Sequence, residues 1–170
     1  VTRSGWNFRG DWDLYAPWYE TTPVFSADSA AAPVGSILFI GDSVGESIAS
    51  EFETVVTPAY PTMTYQACAG RGMAGSDCLF TVAAPQLDLD GVGVANALPA
   101  PAVAIVELGY NDDPSAFNAE LQQMISTLTS KAVQRIIFVN MSTRATSRNY
   151  AASNAALQAA AAANPAISIF

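Results

Sequence analysis

Residues 36–44 read Ser-Ile-Leu-Phe-Ile-Gly-Asp-Ser-Val, and this stretch decides the fold. Its first five residues form a short apolar run, which is typical of a strand buried on both faces, and Gly41 ends that run. A helix is expected next, because apolar residues recur at spacings of three or four: they are Val44, Ile48, Phe52 and Val55. The stretch therefore predicts a strand, a tight turn and a helix.

The same succession of strands and helices continues to the end of the chain. Further strands are expected at residues 62–67, 102–108, 135–140 and 166–170, and further helices at 113–130 and 150–163. Asp113-Pro114 places a capping residue before a proline at the start of the helix at 113–130. The alternation predicts an α/β fold of the doubly wound, flavodoxin-like kind. Its five-stranded parallel sheet would have the order 2-1-3-4-5 in a three-layer α/β/α arrangement.

Length and composition bound the organisation of the chain and its partners. Residues 1–34 form an aromatic-rich segment without helical or strand periodicity, whereas residues 35–170 have the size of one α/β domain. Only 7 basic residues stand against 15 acidic ones, and no basic run occurs, which argues against a nucleic-acid partner. No apolar run is long enough to cross a bilayer, so these residues are expected to be soluble. The glycine-rich stretch 70–75 lacks the spacing of nucleotide-binding loops, so no nucleotide is expected.

Two cysteines, Cys68 and Cys78, flank the glycine-rich stretch. A disulfide closing so short a loop would remove roughly 2.5 to 3 kcal/mol of unfolded-chain freedom; a pair of free, buried thiols is the alternative. A disulfide suits an oxidising compartment, and an Ala-, Ser- and Thr-rich composition with one lysine is typical of exported bacterial proteins. We therefore predict a secreted or extracytoplasmic location in the cell envelope. With no histidine and both cysteines bridged, neither a metal site nor a cofactor is predicted.

The residues that carry chemistry follow the predicted strands, at the sheet edge where open parallel sheets bind their ligands. Ser43 lies where a strand turns into a helix, so free N–H groups and the helix dipole favour a developing negative charge beside its hydroxyl. The N–H groups of Ser43 and Gly70 and the amide of Asn111 could together bind a tetrahedral oxyanion. Taken singly, each motif also fits an ordinary capped turn. Four segments follow predicted strands and are expected to meet at this edge. They are Gly41-Asp42-Ser43-Val44, Cys68 to Gly72, Gly109-Tyr110-Asn111-Asp112, and Ser142-Thr143.

The charged residues near this edge are interpreted as structural. Asp42 is expected to brace its turn, Asp112 and Asp113 to cap the next helix, and Glu107 to lie within a strand. None of these carboxylates is expected to act as the base for Ser43. The arginines of the loops are interpreted as solvated side chains rather than as substrate ligands: Arg71, Arg144 and Arg148.

Together these motifs resemble the blocks of the SGNH (GDSL-like) hydrolase superfamily. Gly41-Asp42-Ser43 is similar to block I, Gly70 to the block II glycine, and Gly109-Tyr110-Asn111-Asp112 to block III, Gly-x-Asn-Asp. From about residue 36 to the end, the chain resembles most the SGNH domains of bacterial extracellular O-acyltransferases, through Ile137 to Asn140 and Asn154-Ala-Ala-Leu157 as well. Some of those proteins carry a membrane acyltransferase domain upstream, which the resemblance allows for this chain too.

The resemblance implies a serine esterase or O-acyltransferase. Ser43 would attack acyl esters of extracellular carbohydrates or small esters, with acetyl as the expected group, and would form an acyl-Ser43 intermediate. The oxyanion hole would consist of Ser43, Gly70 and Asn111. Carbohydrate or a small ester would be the partner, and the oligomeric state stays open.

The family's base is a histidine in a further block, Asp-x-x-His, after the last strand. The 170 residues contain no histidine. We expect the sequence to be truncated before that block, so that the catalytic Asp and His would follow Phe170. The alternative is a catalytically degenerate SGNH domain that binds a glycan or a protein partner in the same cleft.

Overall fold

The structure, a computed structural model, describes residues 35–79, 86–143 and 150–170. The predicted aromatic-rich segment 1–34 lies outside these residues, as do Arg144 and Arg148. Within the described part, the strands are β1 (Ile37–Gly41), β2 (Met63–Ala67), β3 (Val103–Glu107), β4 (Arg135–Phe138) and β5 (Ile167–Ile169). The helices are α1 (Ser43–Ser47), α2 (Ala49–Val56), α3 (Gly91–Ala97), α4 (Phe117–Ser130) and α5 (Ala151–Ala163).

The five strands form one parallel sheet in the order β2-β1-β3-β4-β5, as the sequence predicts. Every neighbouring pair is parallel, and the last residue of β1, Gly41, lies level with Ala67 of β2 and Glu107 of β3. Because strand-to-strand crossovers are right-handed, this order places α1 and α2 on one face and α3, α4 and α5 on the other. The fold is therefore consistent with a three-layer α/β sandwich whose strand ends meet at one edge.

The two faces of the sheet bury different side chains. Toward α3, α4 and α5 the strands present aliphatic residues such as Ile40 and Val106, which belong to the main hydrophobic core. On the opposite face the Phe39 ring stacks on Tyr65, with ring centroids 4.3 Å apart, and also contacts Phe52. Since side chains alternate along a strand, Phe39, Gly41 and Glu107 all face α1.

The first predicted helix is divided into two. The break falls at Ile48, whose backbone is not helical, so α1 has five residues and α2 has eight. Of the four residues expected to form its apolar face, Val44 is 43% exposed and Val55 76% exposed. That part of the prediction is wrong, since the helix is interrupted at Ile48 and the side chains near both ends of the segment reach solvent.

Two further details differ from the prediction. The helix expected from Asp113 begins at Phe117, and Asp113 instead starts a turn in which its carbonyl accepts the N–H groups of Ala116 and Phe117. Helix α3 was not predicted, because its sequence Gly-Val-Gly-Val-Ala-Asn-Ala is short and contains two glycines, which are poor helix formers. Asp90 caps its start through a 2.6 Å hydrogen bond from Gly93 N–H. Such tertiary and capping contacts stabilise α3 in place of helix propensity.

Candidate active site

Ser43 is the first residue of α1, and its side chain is exposed. The turn before it is braced by Asp42, which is fully buried and accepts a 2.8 Å hydrogen bond from Val44 N–H on Oδ1. Tyr65 of β2 holds the same turn from below, since its hydroxyl donates to the carbonyl of Gly45 over 2.6 Å. The serine hydroxyl is thus presented to solvent on a turn that is anchored to the sheet.

The backbone N–H groups of this turn are almost all occupied. The N–H of Asp42 donates to the carbonyl of Glu107, that of Gly45 to Glu107 Oε2, and that of Glu46 to the carbonyl of Asp42. The N–H of Val44 donates to Asp42 Oδ1. Of the backbone N–H groups of residues 42–46, that of Ser43 is the one without an acceptor among the described residues. It is therefore available to a ligand.

Gly70 lies in the loop after β2 with a φ of +85°, a left-handed conformation that favours glycine. A Cβ at this position would also come within 2.4 Å of Leu79 Cγ. The N–H of Gly70 has no acceptor in the described part of the chain either. The disulfide Cys68–Cys78 is present and confirms the predicted bridge, so this loop is closed covalently.

Asn111 joins the loops. Its side-chain Nδ2 donates to Asp42 Oδ2 over 3.3 Å and to the carbonyl of Arg71 over 3.0 Å. Asp42 precedes Ser43 in sequence, and Arg71 follows Gly70. Asn111 is thus hydrogen-bonded to the residue before Ser43 and to the residue after Gly70. In the structure both of these bonds are donated by its side-chain amide.

The interpretation of Arg71 as a solvated side chain is wrong. It is fully buried, and its guanidinium donates to backbone carbonyls at the end of β2 and in the segment before α3, including those of Leu89 at 3.0 Å and Leu87 at 2.7 Å. A guanidinium offers five donors in a fixed plane, so one side chain can join several loops that expose carbonyl groups. Arg71 stabilises the floor of the site and is not available to a substrate.

Asp112 also differs from its expected role. Rather than capping the next helix, its buried side chain accepts the N–H of Met73 on Oδ1 over 2.6 Å and so holds the glycine-rich loop. Its Oδ2 and Oε2 of Glu120 are buried without an N–H or O–H donor among the described residues. The Asp112 carboxylate is near enough to help raise the pKa of Glu120. We call Asp112 and Glu120 the glycine-loop pair.

A second carboxyl pair lies beneath Ser43. Glu107 is 5% exposed, and its Oε2 accepts the N–H of Gly45 over 2.9 Å. The Asp42 carboxylate is near enough to help raise the pKa of Glu107. We call Asp42 and Glu107 the nucleophile-turn pair.

Burial perturbs the ionisation of both pairs. It raises the pKa of Asp42 to about 6 and that of Glu107 to about 8, and the mutual repulsion of the two carboxylates contributes to the rise for Glu107. Burial likewise raises the pKa of Glu120 to about 7 and that of Asp112 above its ordinary value. Each pair therefore retains a proton near neutral pH, which limits the negative charge beneath the site.

The far side of the site edge follows β4. The N–H of Ser142 donates to the hydroxyl of Tyr110 over 2.6 Å, and the Tyr110 ring meets that of Tyr150 edge to face. Asn154 of α5 forms two hydrogen bonds with the backbone of Met141, at 3.0 and 2.8 Å. These contacts fix the segment after β4, which the sequence places at the same edge as Ser43.

Sequence reasoning missed the functional setting of Glu107 and Glu120. A signal for Glu107 was present, because a glutamate at the end of an otherwise apolar strand must be paired when it is buried. No comparable signal marks Glu120, which lies on the first turn of an amphipathic helix where an acidic residue is ordinary.

Other classes of site receive no support in the described part of the chain. Residues 35–79, 86–143 and 150–170 contain no cluster of three or more potential metal ligands. No helix in those ranges has both the length and the apolar character needed to span a membrane. No protein-family model and no curated protein matches the chain.

Proposed function

We propose that the chain is the catalytic core of a serine esterase or O-acyltransferase of the SGNH type, with Ser43 as the nucleophile. The single observation that carries this proposal is the exposed Ser43 on a braced turn whose own N–H is unoccupied within the described residues. The unoccupied N–H of Gly70 and the position of Asn111 between the two loops support it.

In the proposed reaction, Ser43 Oγ attacks the carbonyl carbon of an acyl ester and its proton passes to a general base. The carbonyl oxygen becomes an oxyanion that accepts hydrogen bonds from Ser43 N–H, Gly70 N–H and Asn111 Nδ2. Asn111 would give up the longer of its two present bonds, the 3.3 Å bond to Asp42, to do so. Collapse of the intermediate releases the alcohol, with a proton returned by the base, and leaves acyl-Ser43.

The second half of the reaction defines the enzyme class. Attack of water on acyl-Ser43 gives a hydrolase, and attack of an acceptor hydroxyl gives a transferase. The proposed substrates are acetyl esters of extracellular carbohydrate or small esters, in keeping with an extracytoplasmic protein that forms a disulfide. Because the 170 residues contain no histidine, the proposal assigns the base to an Asp-x-x-His block outside them.

The test uses the complete protein that contains this chain. A serine-directed fluorophosphonate should label Ser43, as located by mass spectrometry of peptides, because only an activated serine reacts quickly. Ser43→Ala should abolish this label and lower turnover of a chromogenic acetyl ester on the order of 10⁴-fold. The matched control is Ser50→Ala, which removes an exposed hydroxyl from the neighbouring helix α2 and should leave both readouts unchanged.

The absence of a label at Ser43, together with equal turnover in the wild type and Ser43→Ala, would contradict the proposal. In that case the degenerate binding domain becomes the better hypothesis. Calorimetric titration with O-acetylated oligosaccharides would then detect a glycan ligand directly.

A further inference from the structure

Glu107 occupies an unusual position for a charged residue. It is the last residue of β3, a strand whose other residues are Val, Ala, Ile and Val. Alternation along the strand directs its side chain to the face that packs against α1, beside Gly41 of the neighbouring strand. There the carboxyl group lies directly under the turn that presents Ser43.

The space around the carboxyl group is fitted to it. A Cβ on Gly45 would come within 3.0 Å of Glu107 Oε2 and 2.8 Å of Phe39 Cε1. A Cβ on Gly41 would meet the same two side chains at 3.1 and 2.6 Å. The two glycines therefore allow the backbone on both sides of Ser43 to rest on Glu107 and Phe39.

The hydrogen bonds are specific to the same turn. Glu107 Oε2 accepts Gly45 N–H over 2.9 Å and lies 3.4 Å from the N–H of Asp42, so one oxygen binds the residues on both sides of Ser43. These bonds leave the N–H of Ser43 as the one on this turn without an acceptor among the described residues.

The hydrogen-bond donors around Asp42 and Glu107 indicate which of the two carboxyl groups carries a proton. Both oxygens of Asp42 already accept hydrogen bonds, Oδ1 from Val44 N–H and Oδ2 from Asn111 Nδ2. Asp42 is thus bound as a carboxylate, and Glu107, which accepts N–H groups through Oε2, is the member of the pair left to carry a proton. The pKa of about 8 for Glu107, raised mainly by burial, agrees with a protonated side chain at neutral pH.

We propose that Glu107 is a positioning residue for Ser43 and acts in its protonated form, accepting the N–H groups of Gly45 and Asp42 while donating its proton to the Asp42 carboxylate. This inference rests on the proposed function. Loss of the proton places a second negative charge against Asp42, which pushes the two carboxylates apart and distorts the turn. The new charge also lies beside the position where the oxyanion develops, so acylation of Ser43 slows as Glu107 ionises.

Several other ionisable groups surround Glu107, and their titration must be separated from its own. Burial raises the pKa values of Tyr65 and Tyr110, so both stay neutral while Glu107 ionises. The guanidinium of Arg71 reaches the carbonyl of Gly41 and remains charged in this range. The neighbours are Asp42 and Glu46 on the turn and α1, Tyr65 on β2, Tyr110 after β3, Arg71 in the glycine-rich loop, and the glycine-loop pair beyond Asp42.

The experiment compares Glu107→Gln and Glu107→Leu with the wild type in the complete protein, with acetyl-ester kinetics from pH 6 to 10. Glutamine keeps an acceptor for Gly45 N–H and a donor for Asp42 but cannot ionise. Glu107→Gln should therefore retain kcat within about threefold at pH 7 and lose the alkaline decline centred near pH 8. Glu107→Leu should lower kcat about 100-fold with little change in KM, because Ser43 is misplaced.

Glu120→Gln is the matched control, since it removes an ionisable carboxyl group from the glycine-loop pair and should keep the wild-type alkaline decline. The amide resonance of Gly45 supplies a readout independent of turnover: it should titrate near pH 8 in the wild type and stop titrating in Glu107→Gln. An alkaline decline in Glu107→Gln equal to that of the wild type would overturn the inference, even if Glu107→Leu fails to fold. A wild type that neither turns over ester nor labels at Ser43 would instead refute the proposed function.

Discussion

The nucleophile-turn pair and the glycine-loop pair lie at the same edge of the sheet but differ in how their charges are compensated. Asp42 and Glu107 are both buried, and together they accept hydrogen bonds from three backbone N–H groups and the amide of Asn111. Asp112 and Glu120 accept one described backbone N–H, that of Met73, and Glu120 is only partly buried. The first pair is part of the sheet and its turn, whereas the second is a local clamp on a loop.

This difference indicates which carboxyl groups contribute most to the stability of the site. A buried carboxylate is tolerated where donors surround it, and each donor left unpaired on its removal costs free energy. The nucleophile-turn pair has many such donors, while the glycine-loop pair has few and can reach solvent through Glu120. Variants of the two pairs should therefore differ in magnitude even though the pairs share one kind of chemistry.

The largest expected effect comes from Asp42→Ala. The substitution removes the cap of α1 and leaves Val44 N–H and Asn111 Nδ2 without their acceptor, so the free energy of unfolding should fall by about 3 kcal/mol. Asp112→Ala removes one backbone contact, with Met73, and should cost about 1.5 kcal/mol. Urea denaturation followed by circular dichroism measures both, and equal losses would contradict the distinction between the pairs.

Much of the fold was predictable because apolar runs and turn residues act locally. The apolar strands and their alternation with helices predicted the parallel sheet and its order, which the structure confirms. Helix α3 could not be predicted, because its stability comes from Asp90 at one end and from Lys131 at the other, whose ammonium donates to the carbonyls of Ala95 and Asn96. Lys131 lies more than thirty residues away in sequence.

The candidate site was predictable in position but not in its charge balance. The rule that ligands bind beyond the carboxyl ends of parallel strands pointed to Ser43, Gly70 and Asn111. The burial of Arg71 depends on carbonyl groups that only the folded loops bring together, so its sequence position resembles that of a solvated arginine. The raised pKa values of Glu107 and Glu120 likewise depend on burial and on charges that separate elements contribute.

Removing the disulfide tests whether the loop between Cys68 and Cys78 affects the turn that Glu107 holds. Replacing both Cys68 and Cys78 by alanine should lower the free energy of unfolding by roughly 2.5 kcal/mol, because the unfolded chain gains the freedom of the opened loop. The hydrogen bonds of Glu107 come from Asp42 and Gly45, and neither residue belongs to the disulfide loop. The amide resonance of Gly45 should therefore keep its position in the spectrum. Thermal denaturation and amide spectra test the two parts; a shifted Gly45 resonance would show that the regions are coupled.

The pH dependence of stability gives a further comparison. The pKa of Glu107 rises from its ordinary value of 4.5 to about 8 on folding, so the folded state binds more protons than the unfolded chain between these values. The stability contribution of this group is therefore fully present below pH 4.5 and is lost as the pH rises through 8. Glu107→Gln should flatten the decline of melting temperature between pH 5 and 8. An unchanged slope in this variant would mean that Glu107 is already ionised in the folded state.

The smallest expected effect is that of Glu120→Gln. The glutamine amide is neutral and can donate a hydrogen bond as a protonated glutamate can, so at pH 6 the free energy of unfolding should change by less than about 0.5 kcal/mol. Above pH 7 Glu120 of the wild type ionises beside Asp112 while the variant stays neutral, so the variant should become the more stable protein at pH 9. Urea denaturation at the two pH values measures this crossover. A variant less stable than the wild type at pH 9 would contradict a raised pKa of Glu120, because a glutamate whose pKa rises on folding loses stability as it ionises.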